Sequence, residues 1–121
     1  MWFKIDYHSP TPVYEQIKER IKENILSNNL KEGDFLPSIR GLAQDIKVNL
    51  NTVSRAYREL EFEGYITAQK GVGYIINKTN SDIIEDEILE DFKKIINRVF
   101  RSNISKNKVI KIIDEVYDGG E

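Results

Sequence analysis

Between residues 38 and 77 the spacing of apolar residues changes from helical to strand-like, which leaves few folds open. The helical spacing predicts a short helix over residues 38–46 with Ser38 as its cap, a turn at 47–49, and a second helix over 50–64. The inner stripe of the second helix is predicted to be Val53, Ala56, Tyr57 and Leu60. The runs YITA and YIIN follow, and the glycine-bearing turn QKGVG between them predicts a β-hairpin. A helix, a tight turn, a helix and a hairpin in this order are typical of a winged helix-turn-helix.

Further helices are predicted on both sides of this region. Upstream, Thr11 suits a helix cap and Pro12 suits the first helical position, and an apolar stripe of helical spacing follows them. Downstream, the polar run NKTNSD predicts a linker. Helical patterns then cover residues 82–100 and 108–117, and Ser105 suits the cap of the last helix.

These elements predict a mostly α-helical chain with one small β-hairpin. We expect a winged helix-turn-helix domain at residues 1–78 and a short helical region at residues 79–121. The net charge of −2 is unevenly spread, because residues 38–78 contain six Lys/Arg against four Asp/Glu whereas residues 79–121 contain seven against ten. The helix-turn-helix segment is therefore the basic part, although differences of a few charges also fit a random scatter.

The composition excludes several classes of protein. There is no cysteine and one histidine, His8, so the chain lacks disulfides, thiolate metal sites and a nucleophile paired with a base. We therefore predict no enzyme activity and no cofactor. We also predict no metal site, since the carboxylates at the start of the helix near residue 82 fit the helix dipole. No apolar run approaches the roughly 20 residues of a membrane span, and the N-terminus lacks a secretion signal, so we expect a soluble cytoplasmic protein with no membrane partner.

The second helix of the pair predicts a surface for double-stranded DNA. Its outer face carries short polar side chains and two guanidinium groups: Asn51, Thr52, Ser54, Arg55 and Arg58. Short polar groups can read base edges and guanidinium groups can bind phosphates. The hairpin tip is small and cationic, so its backbone can approach DNA closely; it comprises Lys70, Gly71, Val72 and Gly73.

Two alternatives for these residues stay open. Arg55 and Arg58 can be ordinary surface charges that bridge Glu59 or Glu61. Asn49 and Asn51 compete for the helix cap, and the residue that caps the helix is less free to read a base.

The stretch EGDFLPSIRGLAQDIKVNLNTVSRAYRELEFEGYITAQKGVGYII resembles the signature of the GntR family of transcription regulators. Many separated positions agree in register, and the resemblance extends over residues 10–77. It implies a DNA-binding winged helix whose contacts come from Ser38, Arg40, Thr52, Arg55 and the wing at residues 70–73. Two positions depart from the family, which often has a basic residue where Leu50 stands and sometimes one where Ser54 stands; these departures bear on the base sequence recognised.

The helical tail resembles that of the YtrA-type branch of this family, in which it serves dimerisation. The helix at 82–100 is apolar over more than the single stripe that a solvated helix needs. The stripe predicted to form a homodimer consists of Ile84, Ile88, Phe92, Ile95 and Val99.

Two functions follow as hypotheses. The first is a dimeric, sequence-specific repressor that binds a palindromic operator, because a two-fold dimer presents its recognition helices symmetrically. The alternative is a winged-helix protein-interaction module without DNA binding, which would need an apolar outer face on the second helix. No residue pattern identifies a small-molecule effector.

Overall fold

A computed structural model describes residues 4–119 of the chain. The helices and strands are, in chain order, α1 (Val13–Leu26), α2 (Ile39–Ile46), α3 (Leu50–Phe62), β1 (Ile66–Gln69), β2 (Gly73–Ile76), α4 (Ser81–Arg101) and α5 (Lys106–Asp118). The described residues divide into two compact units, one up to Ser81 and one from Asp82 onward. The predicted fold class, mostly α-helical with one small hairpin, is confirmed.

The core of the first unit is built around α3. Its apolar stripe is completely buried, as its spacing predicted: Val53, Ala56, Tyr57 and Leu60. Ile17 and Ile21 of α1 are completely buried as well, and Ile66 and Ile76 bring the hairpin into the same core. The hydroxyl of Tyr57 donates to the Pro37 carbonyl over 2.7 Å, so the segment before α2 is tied to α3.

The start of α1 differs from the prediction. Pro12, with φ −56° and ψ 148°, is the N-cap and lies outside the helix, and Thr11 does not cap it. The Pro12 carbonyl accepts the Gln16 backbone N–H over 3.1 Å. The side-chain amide of Gln16 donates to the carbonyls of Thr11 and Asp6, over 2.9 and 2.8 Å, so a glutamine one turn inside the helix holds the preceding segment.

The wing has a third extended segment that the sequence did not reveal. The hairpin pairs Ile66 with Ile76 in antiparallel register, close to the predicted strands. Phe35 forms an additional bridge with Ile75. The Leu36 N–H donates to the Tyr74 carbonyl over 2.9 Å. Residues 35 and 36 therefore extend the sheet from β2.

The second unit is a pair of helices with little buried surface of its own. Ser105 caps α5 as predicted, accepting the Lys108 N–H over 3.4 Å. No residue of α5 is buried, and in α4 only Ile84 is. The side chain of Ile84, a residue predicted at the dimer surface, is completely buried within the single chain. None of the helices within residues 4–119 is long and apolar enough to cross a membrane.

Candidate nucleic-acid interface

The outer face of α3 is polar and accessible. Asn51 and Arg58 are exposed, and no hydrogen bond or ion pair engages their side chains within residues 4–119. Thr52 and Ser54 are half-buried beside them. Since the opposite face of α3 is packed into the core, these side chains can enter a groove without disturbing the fold.

The N-cap of α3 shows which of Asn49 and Asn51 has an unused side chain. Asn49 is the N-cap of α3, and its Oδ1 accepts the Asn51 N–H over 2.7 Å. The Asn51 side chain thus keeps both its donor and its acceptor for a partner, whereas the Asn49 oxygen already accepts the hydrogen bond of the cap.

Gly41, in the first turn of α2, lies against the side chain that caps this helix. Ser38 caps α2, and its Oγ accepts the Gly41 N–H over 2.9 Å. A Cβ at Gly41 would lie 2.9 Å from that same oxygen, so any larger residue there must displace the cap. The Ser38 hydroxyl keeps its own proton for a further acceptor such as a phosphate.

Two exposed cations lie near the turn of the helix-turn-helix. Arg40 is exposed in the first turn of α2 and has no partner among the described side chains. Lys47 is exposed in the turn itself, with a left-handed φ of 55°. Lys47 was not among the contacts predicted from the sequence, although a lysine beside a predicted recognition helix was a signal for it.

The tip of the wing is exposed to solvent, and its turn contains two glycines. Gly71 has φ 78° and Gly73 has φ 140°, conformations that side chains rarely adopt. Lys70 is exposed, and Val72 is 64% exposed between the glycines. The tip therefore offers one cation, one apolar side chain and accessible backbone amides.

Arg55 differs from Arg58, because other residues of the protein hold it. Its Nε donates to Glu59 over 3.0 Å, the bridge that the sequence left as an alternative. Its guanidinium carbon lies 3.7 Å from the centre of the Tyr14 ring, a cation–π contact with α1. The structure therefore separates Arg55 from the free cations of the outer face.

An ion-pair cluster between α1 and α3 was missed by sequence reasoning. Lys18 is only 8% exposed, and its Nζ lies 2.8 Å from Glu59 and 2.6 Å from Glu63. Lys22 extends the cluster, 3.1 Å from Glu63. Burial opposes the charge of Lys18, but hydrogen bonds to both carboxylates outweigh it and raise its pKa.

The carboxylates of this cluster are held in their charged form. Hydrogen bonds from Lys18 and Arg55 keep the pKa of Glu59 below its ordinary value of 4.5. Burial opposes the charge of Glu63, and hydrogen bonds from Lys18 and Lys22 still lower its pKa. The cluster is thus fully ionised near neutral pH and joins the two helices.

The sequence profile described as bacterial regulatory proteins, gntR family, matches residues 13–76, which span α1 to the end of β2. The chain belongs to the GntR family. It is 40% identical over 117 residues to the HTH-type transcriptional repressor YtrA of Bacillus subtilis, covering 93% of this chain and 90% of that protein.

Solved structures of similar proteins have the same fold. A Listeria monocytogenes protein described as a transcriptional antiterminator matches with a TM-score of 0.77 at 35% identity, covering 97% of this chain and 90% of that one. YtrA of Sulfolobus acidocaldarius, a GntR-family transcription factor, matches with a TM-score of 0.61 at 40% identity over 98% of both chains. The chain is accordingly a GntR-family transcription regulator with a DNA-binding winged helix-turn-helix, and its relatives are regulators and not enzymes.

Proposed function

We propose that this GntR-family regulator is a cytoplasmic, dimeric repressor that reads a palindromic operator through α3 and the wing. The observation that carries the proposal is the free polar face of α3, where Asn51 and Arg58 are exposed and unengaged among the described residues. The similarity to a repressor over nearly the whole chain supports the direction of regulation.

Base reading is assigned to the first turns of α3. The amide of Asn51 can pair with both the N6 donor and the N7 acceptor of adenine in the major groove. Ser54 lies one turn further on the same side of the helix and offers a hydroxyl. Asn49 contributes through its amide nitrogen, since its oxygen is used for the cap.

Phosphate binding is assigned to the side chains around this face. Arg58 and Arg40 supply charge on the two helices, and Lys70 supplies it at the wing. The remaining phosphate contacts are hydroxyls and backbone amides, from Ser38, Thr52, Gly71, Val72 and Gly73.

The dimer is assigned to the second unit. Large apolar side chains of α4 are about half exposed: Ile88 at 44%, Phe92 at 48% and Ile95 at 54%. In α5, Ile112 and Val116 are 59% and 54% exposed. Apolar surface of this extent on a short pair of helices favours association, and a two-fold axis lets one patch cover itself.

Fluorescence anisotropy with genomic fragments tests DNA binding, and footprinting then locates the operator. We expect affinity to fall steeply with salt, with a slope of about −0.9 per phosphate neutralised. The footprint should be palindromic, and a promoter carrying it should be less active when the protein is present. Absence of binding to any fragment would favour the protein-interaction module, and a single unsymmetrical half-site would contradict the dimeric mode.

A further inference from the structure

Arg55 lies on α3 but is bound on two sides by the protein. Tyr14 of α1 covers one face of its guanidinium at 3.7 Å from the ring centre. Glu59, one turn along α3, takes its Nε over 3.0 Å. The side chain remains 52% exposed, so accessibility alone would class it with the DNA-facing cations.

The charges around Arg55 argue against a phosphate contact there. Hydrogen bonds from Lys18 and Arg55 lower the pKa of Glu59, so its carboxylate stays charged. A phosphate at Arg55 would therefore lie close to a negative charge. Glu59 is itself fixed from α1, because Lys18 binds its other oxygen over 2.8 Å. The positive charge of Arg55 is therefore already matched by a carboxylate that is fixed in place.

We infer that Arg55 is a positioning residue that ties α3 to α1 through Tyr14 and Glu59 and makes no phosphate contact. The guanidinium joins the first turn of α1 to the middle of α3, and the Lys18 ion pairs join the same two helices further along. Together they fix the direction in which α3 presents Asn51 to the groove. The absence of a phosphate contact rests on the proposed function. The contacts of Arg55 with Tyr14 and Glu59, which we call the clamp, do not rest on it.

Arg58 provides a matched control on the same helix. It is an exposed arginine three residues further on, with no ion pair among the described residues. Arg55→Met and Arg58→Met each remove one cation and keep a straight apolar side chain. The two variants therefore differ in whether the lost charge faces the protein or the DNA.

The experiment measures operator affinity against salt, by anisotropy, and melting temperature for both variants of the full chain. Arg58→Met should make the salt slope shallower by about 0.9 per protomer and leave the melting temperature unchanged. Arg55→Met should keep the wild-type slope, lower the melting temperature and weaken binding about 2- to 5-fold, the range of an exposed cation–π contact.

Two variants of Tyr14 keep the test decisive if Arg55→Met folds poorly. Tyr14→Phe keeps the ring and should preserve the wild-type affinity and melting temperature. Tyr14→Leu removes it and should lower both, again at the wild-type salt slope.

A slope that becomes shallower by about 0.9 per protomer in Arg55→Met would overturn the inference, because it would reveal a phosphate contact. Unchanged melting temperatures in both Arg55→Met and Tyr14→Leu would also overturn it, since no clamp would then exist. If the wild-type chain binds no DNA, the proposed function fails, and the melting temperatures still decide whether the clamp exists.

Discussion

Truncating Ile95 to alanine should weaken a dimer more than it weakens the fold. Ile95 lies on the exposed side of α4 and is 54% exposed in the single chain. Full burial of such a side chain contributes about 1.5–3 kcal/mol, so covering the exposed half contributes about 0.8–1.6 kcal/mol. A two-fold interface contains the residue twice, which doubles the effect.

Alanine retains the Cβ, so the net loss should be about 1–2 kcal/mol per dimer. At about 1.4 kcal/mol per tenfold change, the dissociation constant of the dimer should rise roughly 5- to 30-fold. Sedimentation velocity over a dilution series measures this constant directly. Under the proposed dimeric mode, operator affinity should fall with it, because binding at two sites is lost.

Ile84 supplies the control from the same helix. Its side chain is completely buried within the chain, so Ile84→Val should lower the stability of the fold by about 0.5–1.5 kcal/mol and leave the dimer constant unchanged. A wild-type chain that sediments as a monomer at tens of micromolar would refute the reasoning. So would an Ile95→Ala chain that dimerises as tightly as the wild type.

Three further predictions concern the interface and the core. Lys70→Ala should weaken binding to all sequences alike and make the salt slope shallower, whereas Asn51→Ala should cost about 1–3 kcal/mol at one base pair only; anisotropy on operator variants distinguishes them. Tyr57→Phe should lower the unfolding free energy by about 1 kcal/mol in urea titration, because it leaves the carbonyl that its hydroxyl binds without that donor. Stability should fall as the pH drops below 4.5, because the unfolded chain then protonates the two carboxylates that are paired with Lys18 in the fold. It should also fall as the pH rises above 10.5, because the unfolded chain then loses the lysine proton. In a series of denaturation curves at different pH, Lys18→Met should reduce the loss of stability on the acid side.

Patterns local in the chain predicted most of the fold. The stripe of α3 specified four positions that are all completely buried, because helical periodicity alone determines which side faces the core. Ser38 and Ser105 cap the helices that follow them, since capping needs only a side chain and an amide two or three residues away. The competition between Asn49 and Asn51 was recognised but needed the backbone conformation to decide it.

Contacts distant in sequence were not predictable in the same way. Lys18 lies on α1 and binds two carboxylates of α3 that are 41 and 45 residues away in the sequence. Which side of α1 meets α3 depends on how the helices cross, and the stripe of α1 alone does not determine this. The same applies to Arg55, whose partner Tyr14 lies on the other helix.

The bridge between Phe35 and Ile75 bears on how the protein responds when it meets DNA. Hydrogen bonds at Leu36 and Ile76 join the segment before α2 to the wing, so the wing is not a freely moving hairpin. The wing loses most of its conformational entropy when the chain folds, so it loses little more when it binds DNA. The amides of Leu36 and Ile76 should accordingly exchange with solvent as one cooperative unit, and the wing should meet the operator already in its bound shape.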